Sequence, residues 1–267
     1  MKYIKGFLMA WGGFCSVPCP YHGWDEKSRK AMLIMLPLVG YLLGAIASIV
    51  WFILSRFNIP ALLIGVLIMV VYFLGTGFIH LDGFMDCSDA LMSRRPSLEE
   101  RQRILKAPDV GAFAVISVVL MFMIWGACAI SIAEAGFSVR SCLTLIGIFA
   151  ASRLMSAHAV LTKPKMSVSQ YSNIDEDTNR CVGAPGLVIM IVLVLLPTAI
   201  NLVINSVDAK ELLLVLIPTV GALIFAGLMR NRAIGQLGGM NGDISGYMIN
   251  MSETFAMICM SVSLYVV

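Results

Sequence analysis

Asp82, Asp86 and Asp89 lie in the stretch HLDGFMDCSDALMSRR, residues 80–95, at spacing i, i+4, i+7. On an α-helix that spacing puts all three carboxylates on one face within about two turns. Charges of one sign held that close repel, so a cation among them or partial protonation is required. A carboxylate set suits a hard cation, Mg²⁺ or Mn²⁺. Mg²⁺ commonly bridges one or two carboxylates to the phosphates of a substrate. Gly83, directly after the first aspartate, gives a phosphate room to approach the backbone. The following stretch, SRRPSLEERQRILK, supplies Arg94, Arg95, Arg101, Arg103 and Lys106. Basic side chains beside an acidic metal site point to an anionic, phosphate-bearing substrate. Ser97 followed by Glu100 forms a capping box, which predicts a short helix opening there. His80, two residues before Asp82, is a candidate substrate contact.

The elements that must position these residues are membrane helices. The chain has 267 residues, 59% of them hydrophobic and 13% charged, where soluble domains carry about 25% charged residues. Repeated apolar runs of about 20 residues match the thickness of a bilayer core. The fold class predicted is all-α and polytopic, a single integral-membrane domain over 1–267 with seven spans: 31–54, 61–79, 112–134, 142–162, 186–205, 211–229 and 244–266. With 1–30 on the cytoplasmic side, the segments 1–30, 80–111, 163–185 and 230–243 carry fifteen Lys and Arg, and the opposite loops carry only Arg56, Arg140 and Lys210. That asymmetry predicts a cytoplasmic N-terminus and places 80–111 in the cytoplasm as a catalytic loop and helix. Residues 1–20 resemble a signal peptide in having a basic start and an apolar stretch, but no small-x-small cleavage site follows. They read instead as a cytoplasmic interfacial segment. The seven cysteines show no C-x-x-C pair and fall mostly in spans or on the reducing side, so neither a disulfide nor a zinc site is expected. The net charge of +3 gives no reason to expect a nucleic-acid partner, and nothing argues against a homo-oligomer.

Two charged residues fall deep inside spans, Arg153 and Glu253. As charges in hydrocarbon they call for partners, and an ion pair between two helices would satisfy both. Asp243 stands at the mouth of the last span in GGMNGDISG, residues 238–246, where it can face the metal or a nucleotide.

At these residues the sequence resembles the cobalamin 5'-phosphate synthase family (adenosylcobinamide-GDP ribazoletransferase). The family's central motif, H-L-D-G-(L/F)-x-D-x-x-D-(A/G), is matched by HLDGFMDCSDA, and its later G-G-x-T-G-D-x-x-G by GGMNGDISG with Asn241 at the threonine. Between them RILKAPDVGAF stands for a basic stretch ending K-D-x-R-(I/V)-G-(A/T), with the acid displaced to Asp109. SVPCP and LPLVG (Leu36–Gly40) match the start of the family, so the likeness runs in order from about residue 14 to about 255.

The resemblance implies a reaction. Adenosylcobinamide-GDP and α-ribazole 5'-phosphate, or free α-ribazole, become adenosylcobalamin 5'-phosphate, or adenosylcobalamin, and GMP, at the membrane and with Mg²⁺. It implies Asp82, Asp86 and Asp89 as metal ligands and catalytic residues, and Asp89, last in the row, reads as the base ahead of Asp86. It adds His80, Gly83, Arg94, Arg95, Arg103, Lys106, Asn241 and Asp243 as substrate-binding residues. The active-site logic is similar to that of the CDP-alcohol phosphotransferases. Their motif D-G-x-x-A-R is not met here, because Asp86 stands where the alanine would fall. A cation or phosphate transporter would call for repeat symmetry and broken helices around a midplane site, whereas here the charge gathers on one face.

Overall fold

The computed structural model describes residues 1–95, 97–167, 169, 183–204 and 209–266, without the side chains of 209–211. The tip of the 163–185 loop with Arg180 and Cys181, and the turn at 205–208, lie outside the described residues.

The described chain is helical: α1 (Lys2–Phe14), a 3₁₀ turn (Glu26–Ser28), α2 (Arg29–Ile34), α3 (Leu36–Leu54), α4 (Ala61–Gly75), α5 (Ile79–Met92), α6 (Leu98–Leu105), α7 (Ala112–Glu134), α8 (Val139–Thr162), α9 (Gly183–Ile204), α10 (Ala209–Leu237) and α11 (Gly242–Val266). Six of them, α3 and α7 to α11, are long and apolar enough to cross a membrane. α8 and α11 form the centre and are mostly buried, while α7, α9 and α10 turn most of their apolar surface outward. An apolar exterior of that kind is stable only against hydrocarbon.

Two expected spans take a different form. The first, 31–54, breaks at Met35 into α2 and α3, with Pro37 in the opening turn of α3. The second, 61–79, ends at Gly75, and α5 leaves at 90° to α4. The cause is local. Gly77 and Phe78 both have φ of 60°, a left-handed pair that stops α4 and redirects the chain; glycine takes this conformation freely. The elbow is tied down by the N-terminal segment, where the Ser16 N–H donates to the Gly75 carbonyl at 2.8 Å and the Ser16 hydroxyl donates to the Leu74 carbonyl. The stretch 80–92, where the aspartate spacing predicts a helical face, is helix, with its opposite face buried.

α5 lies across one end of the bundle, from the first turn of α11 to the first turn of α7. A side-chain carbon on Gly83 would fall 2.6 Å from Asp243 Cα, and one on Gly246 would fall 2.5 Å from the His80 carbonyl oxygen. Gly83 thus serves close helix packing; its Cα faces the α11 backbone and leaves no space there for a phosphate. At the far end of α5, a carbon on Gly111 would overlap the Asp89 carboxylate.

Candidate active site

α5 carries Asp82, Asp86 and Asp89 on its outer face, Asp82 exposed and the other two partly buried, while His80, Gly83, Phe84 and Cys87 are buried. The GGMNGD motif builds the opposite wall. Gly238, at φ 85°, ends α10 in the left-handed conformation, with its N–H donating to the Ile234 carbonyl at 2.8 Å. Next, Met240 joins residues 164–166: its N–H donates to the Pro164 carbonyl at 2.8 Å and its carbonyl accepts the Met166 N–H at 3.2 Å. Asn241 then caps α11, its Oδ1 accepting the Ile244 N–H at 3.0 Å. Its Nδ2 donates to Asp243 Oδ2 at 2.6 Å. Both ends of the Asn241 amide are used, so this residue acts by holding Asp243 in place.

Asp82, Asp89 and Asp243 therefore all lie within electrostatic reach of Asp86, which gathers four carboxylates in one region. Among the described residues none of the four forms an ion pair. Asp86 feels this most: burial first, then Asp82, Asp243 and Asp89, push its carboxyl up to about 6. This uncompensated charge fits a divalent cation. No group of three acidic, histidine or cysteine side chains among the described residues converges tightly enough to cage one. The arrangement suits an ion held by one or two carboxylates and completed by water and substrate phosphate, as Mg²⁺ prefers.

His80 is buried and lies parallel to Phe14, ring centroids 6.2 Å apart. Its Nδ1 has no hydrogen-bond partner. Burial, with the charge of Arg153 behind it, lowers its pKa to about 3, so the ring is neutral.

The basic side is open. Arg94, Arg95, Arg103 and Lys106 are exposed, and among the described residues none is paired with a carboxylate. Arg94 sits at φ 54° in the link between α5 and α6. The capping box forms as the sequence predicts: Ser97 Oγ accepts the Glu100 N–H at 3.1 Å and donates to Glu100 Oε2 at 3.3 Å. α6 is fixed to the α10 end by Gln102, whose Nε2 donates to the Leu237 carbonyl at 2.8 Å. Asp109 is exposed in the loop before α7.

Arg153 and Glu253 do pair, at 2.6 Å, with 0% and 1% side-chain exposure. Sequence reasoning missed two of their partners. The Tyr72 hydroxyl donates to Glu253 Oε2 and accepts from Arg153 Nη2 at 3.2 Å. The Ser152 hydroxyl donates to Glu253 Oε1 at 2.6 Å. The network joins α4, α8 and α11 in the core. A tyrosine within an otherwise apolar span was the signal available for it.

The sequence was compared with known proteins. The family model described as cobalamin-5-phosphate synthase matches residues 6–261. The adenosylcobinamide-GDP ribazoletransferase of a Clostridium perfringens strain is 34% identical over 251 residues, 94% of this chain and 95% of that protein. Proteins of the same name from Clostridium botulinum and Acetivibrio thermocellus are 42% identical over 121 residues (45% of this chain, 48% of that protein) and 28% identical over 265 residues (97% and 98%). No solved structure matches at a significant level. A match that runs nearly end to end, through all three motifs, makes this chain a member of the cobalamin-5-phosphate synthase family.

Proposed function

We propose that the protein joins adenosylcobinamide-GDP to α-ribazole 5'-phosphate, or to α-ribazole, releasing GMP, by Mg²⁺-dependent phosphoryl transfer. Mn²⁺ is the alternative ion. Family membership carries the coarser part, a membrane transferase of cobalamin biosynthesis. The observation that carries the finer part is the gathering of four carboxylates without ion pairs among the described residues at one end of the bundle, with the basic residues of 94–106 following directly in the chain. The excess of Lys and Arg in 1–30, 80–111, 163–185 and 230–243 supports placing that end on the cytoplasmic face of a prokaryotic cytoplasmic membrane.

A ribose hydroxyl of the ribazole attacks the phosphorus that bears cobinamide. A new P–O bond forms, the P–O bond to GMP breaks, and the hydroxyl proton passes to a carboxylate. Asp86 is the favoured base over Asp89, because burial, the largest cause of its raised carboxyl, persists when a cation offsets the neighbouring charges, and a raised carboxyl accepts a proton more readily than an ordinary one. One or two of Asp82, Asp89 and Asp243 would hold the cation, with water and substrate phosphate completing its shell, and Asn241 fixes the Asp243 carboxylate. When bound, Mg²⁺ neutralises the diphosphate and the charge gathering on the departing GMP. Arg94, Arg95, Arg103 and Lys106 bind the outer phosphate oxygens. His80 and Gly83 act from behind, by packing α5 against its neighbours.

The test is GMP release by the purified protein, supplied with adenosylcobinamide-GDP, α-ribazole 5'-phosphate and Mg²⁺. Release should stop with EDTA and return with added Mg²⁺. Folded protein that gives no GMP above blank overturns the reading.

A further inference from the structure

A groove of about 450 Å³ runs beneath α5, between α7, α10 and α11. It is separate from the carboxylates. Phe84, Ser88 and Leu91 roof it from the face of α5 opposite Asp82, Asp86 and Asp89. Along α11 it extends from Tyr247 to Ile258, eleven residues or about 17 Å at the helical rise. One leaflet of a bilayer core is about 15 Å thick. Its outer wall includes Leu120 and Ile124, 53% and 42% exposed on the apolar exterior of the bundle.

The groove makes one polar demand. Its hydroxyls are already bonded within the protein: Ser88 donates to the Phe84 carbonyl at 2.6 Å, Thr254 to the Asn250 carbonyl at 2.7 Å, Ser117 to Met92 Sδ at 3.4 Å and Tyr247 to Met229 Sδ at 3.6 Å. What remains is Arg232, exposed near Tyr247 at the end toward α5 and without an ion pair among the described residues. A long apolar channel, one leaflet deep and open to the exterior of the bundle, with a single free guanidinium at its polar end, complements an amphiphile with an anionic phosphate head. We infer that this groove binds one anionic phospholipid, an acyl chain lying along α11 and the phosphate on Arg232. The bound chain is the floor on which the catalytic helix rests.

Native mass spectrometry of the full chain, released from micelles containing equal phosphatidylglycerol and phosphatidylcholine, reads this without any substrate, so the outcome is independent of the enzymatic reading. Wild-type protein should retain phosphatidylglycerol in preference to phosphatidylcholine. Arg232→Ala should reduce that preference about tenfold, the scale of one charge-assisted hydrogen-bonded contact. Arg232→Lys should restore most of it, and Arg230→Ala, two residues back and on the other side of α10, should leave it unchanged. Leu120→Trp, which fills the channel, should reduce retention of both lipids. Equal retention of the two lipids by the wild type overturns the inference, as does unchanged preference in Arg232→Ala. A dimer that Leu120→Trp dissociates would assign the groove to a second copy of the chain and also overturn it.

Discussion

Asp86 is the site carboxylate whose surroundings displace it furthest from its ordinary value. Its folded-state value of about 6 lies above the ordinary 3.8, so between those values the folded chain holds a proton that the unfolded chain has lost. Linkage then makes the metal-free protein gain stability as pH falls through about 6, levelling off below about 4. Asp86→Asn removes the repulsion, and should raise the melting temperature of metal-free protein at neutral pH by about 2 °C while nearly abolishing GMP release. Asp82→Asn should lose turnover as severely, with the protein still inserted. Wild-type-like rates in both variants would remove the metal scheme, and a lower melting temperature for Asp86→Asn would show that the carboxylate is compensated. The three aspartates and their shared face were legible because helical spacing is local. Asp243 could be read from its glycine-rich motif as facing the metal or a nucleotide, but its closeness to the other three could not: it depends on Gly83 packing on the Asp243 backbone and Gly246 on the His80 backbone, across helices far apart in sequence.

At the scale of elements, the crossing of α5 and α11 sets the site. Gly83→Ala and Gly246→Ala each force a carbon to within 2.6 Å or less of backbone, which cannot rotate away as a side chain can. Each should be destabilising by about 1–3 kcal/mol and lower GMP release more than tenfold, by moving the aspartates from Asp243. Full activity in both would mean that the crossing is loose. The long spans and the Ser97 cap were readable because apolar length and capping chemistry are written locally. The elbow after α4 was harder, since 61–79 is apolar throughout and only the Gly75–Thr76–Gly77 sequence marks a break. α10 was expected to end near 229 and continues to Leu237; the change to polar residues at Arg230 marks a change of solvent, with the helix continuing past it.

For the whole molecule, the buried network of Arg153, Glu253, Tyr72 and Ser152 links three helices of the core. Removing one charge, as in Glu253→Gln, strands the other in an apolar interior and should be destabilising by about 3–5 kcal/mol. Replacing both, as in Arg153→Met with Glu253→Leu, should recover most of that loss. Detergent-solubilised melting curves would measure both, and a double variant no better than the single one would mean the network does more than neutralise itself.

Arg153 and Glu253 are 100 residues apart in the chain. The arginine leaves the ribosome first, and at about 5–20 residues per second it waits roughly 5–20 s for its counter-ion. During that interval α8 is a poor membrane segment, and the translocation machinery or surrounding lipid headgroups must shelter its charge. A nascent chain stalled before Gly242 should therefore hold α8 insecurely, and α11, made well after α8, acts as the latch that secures it.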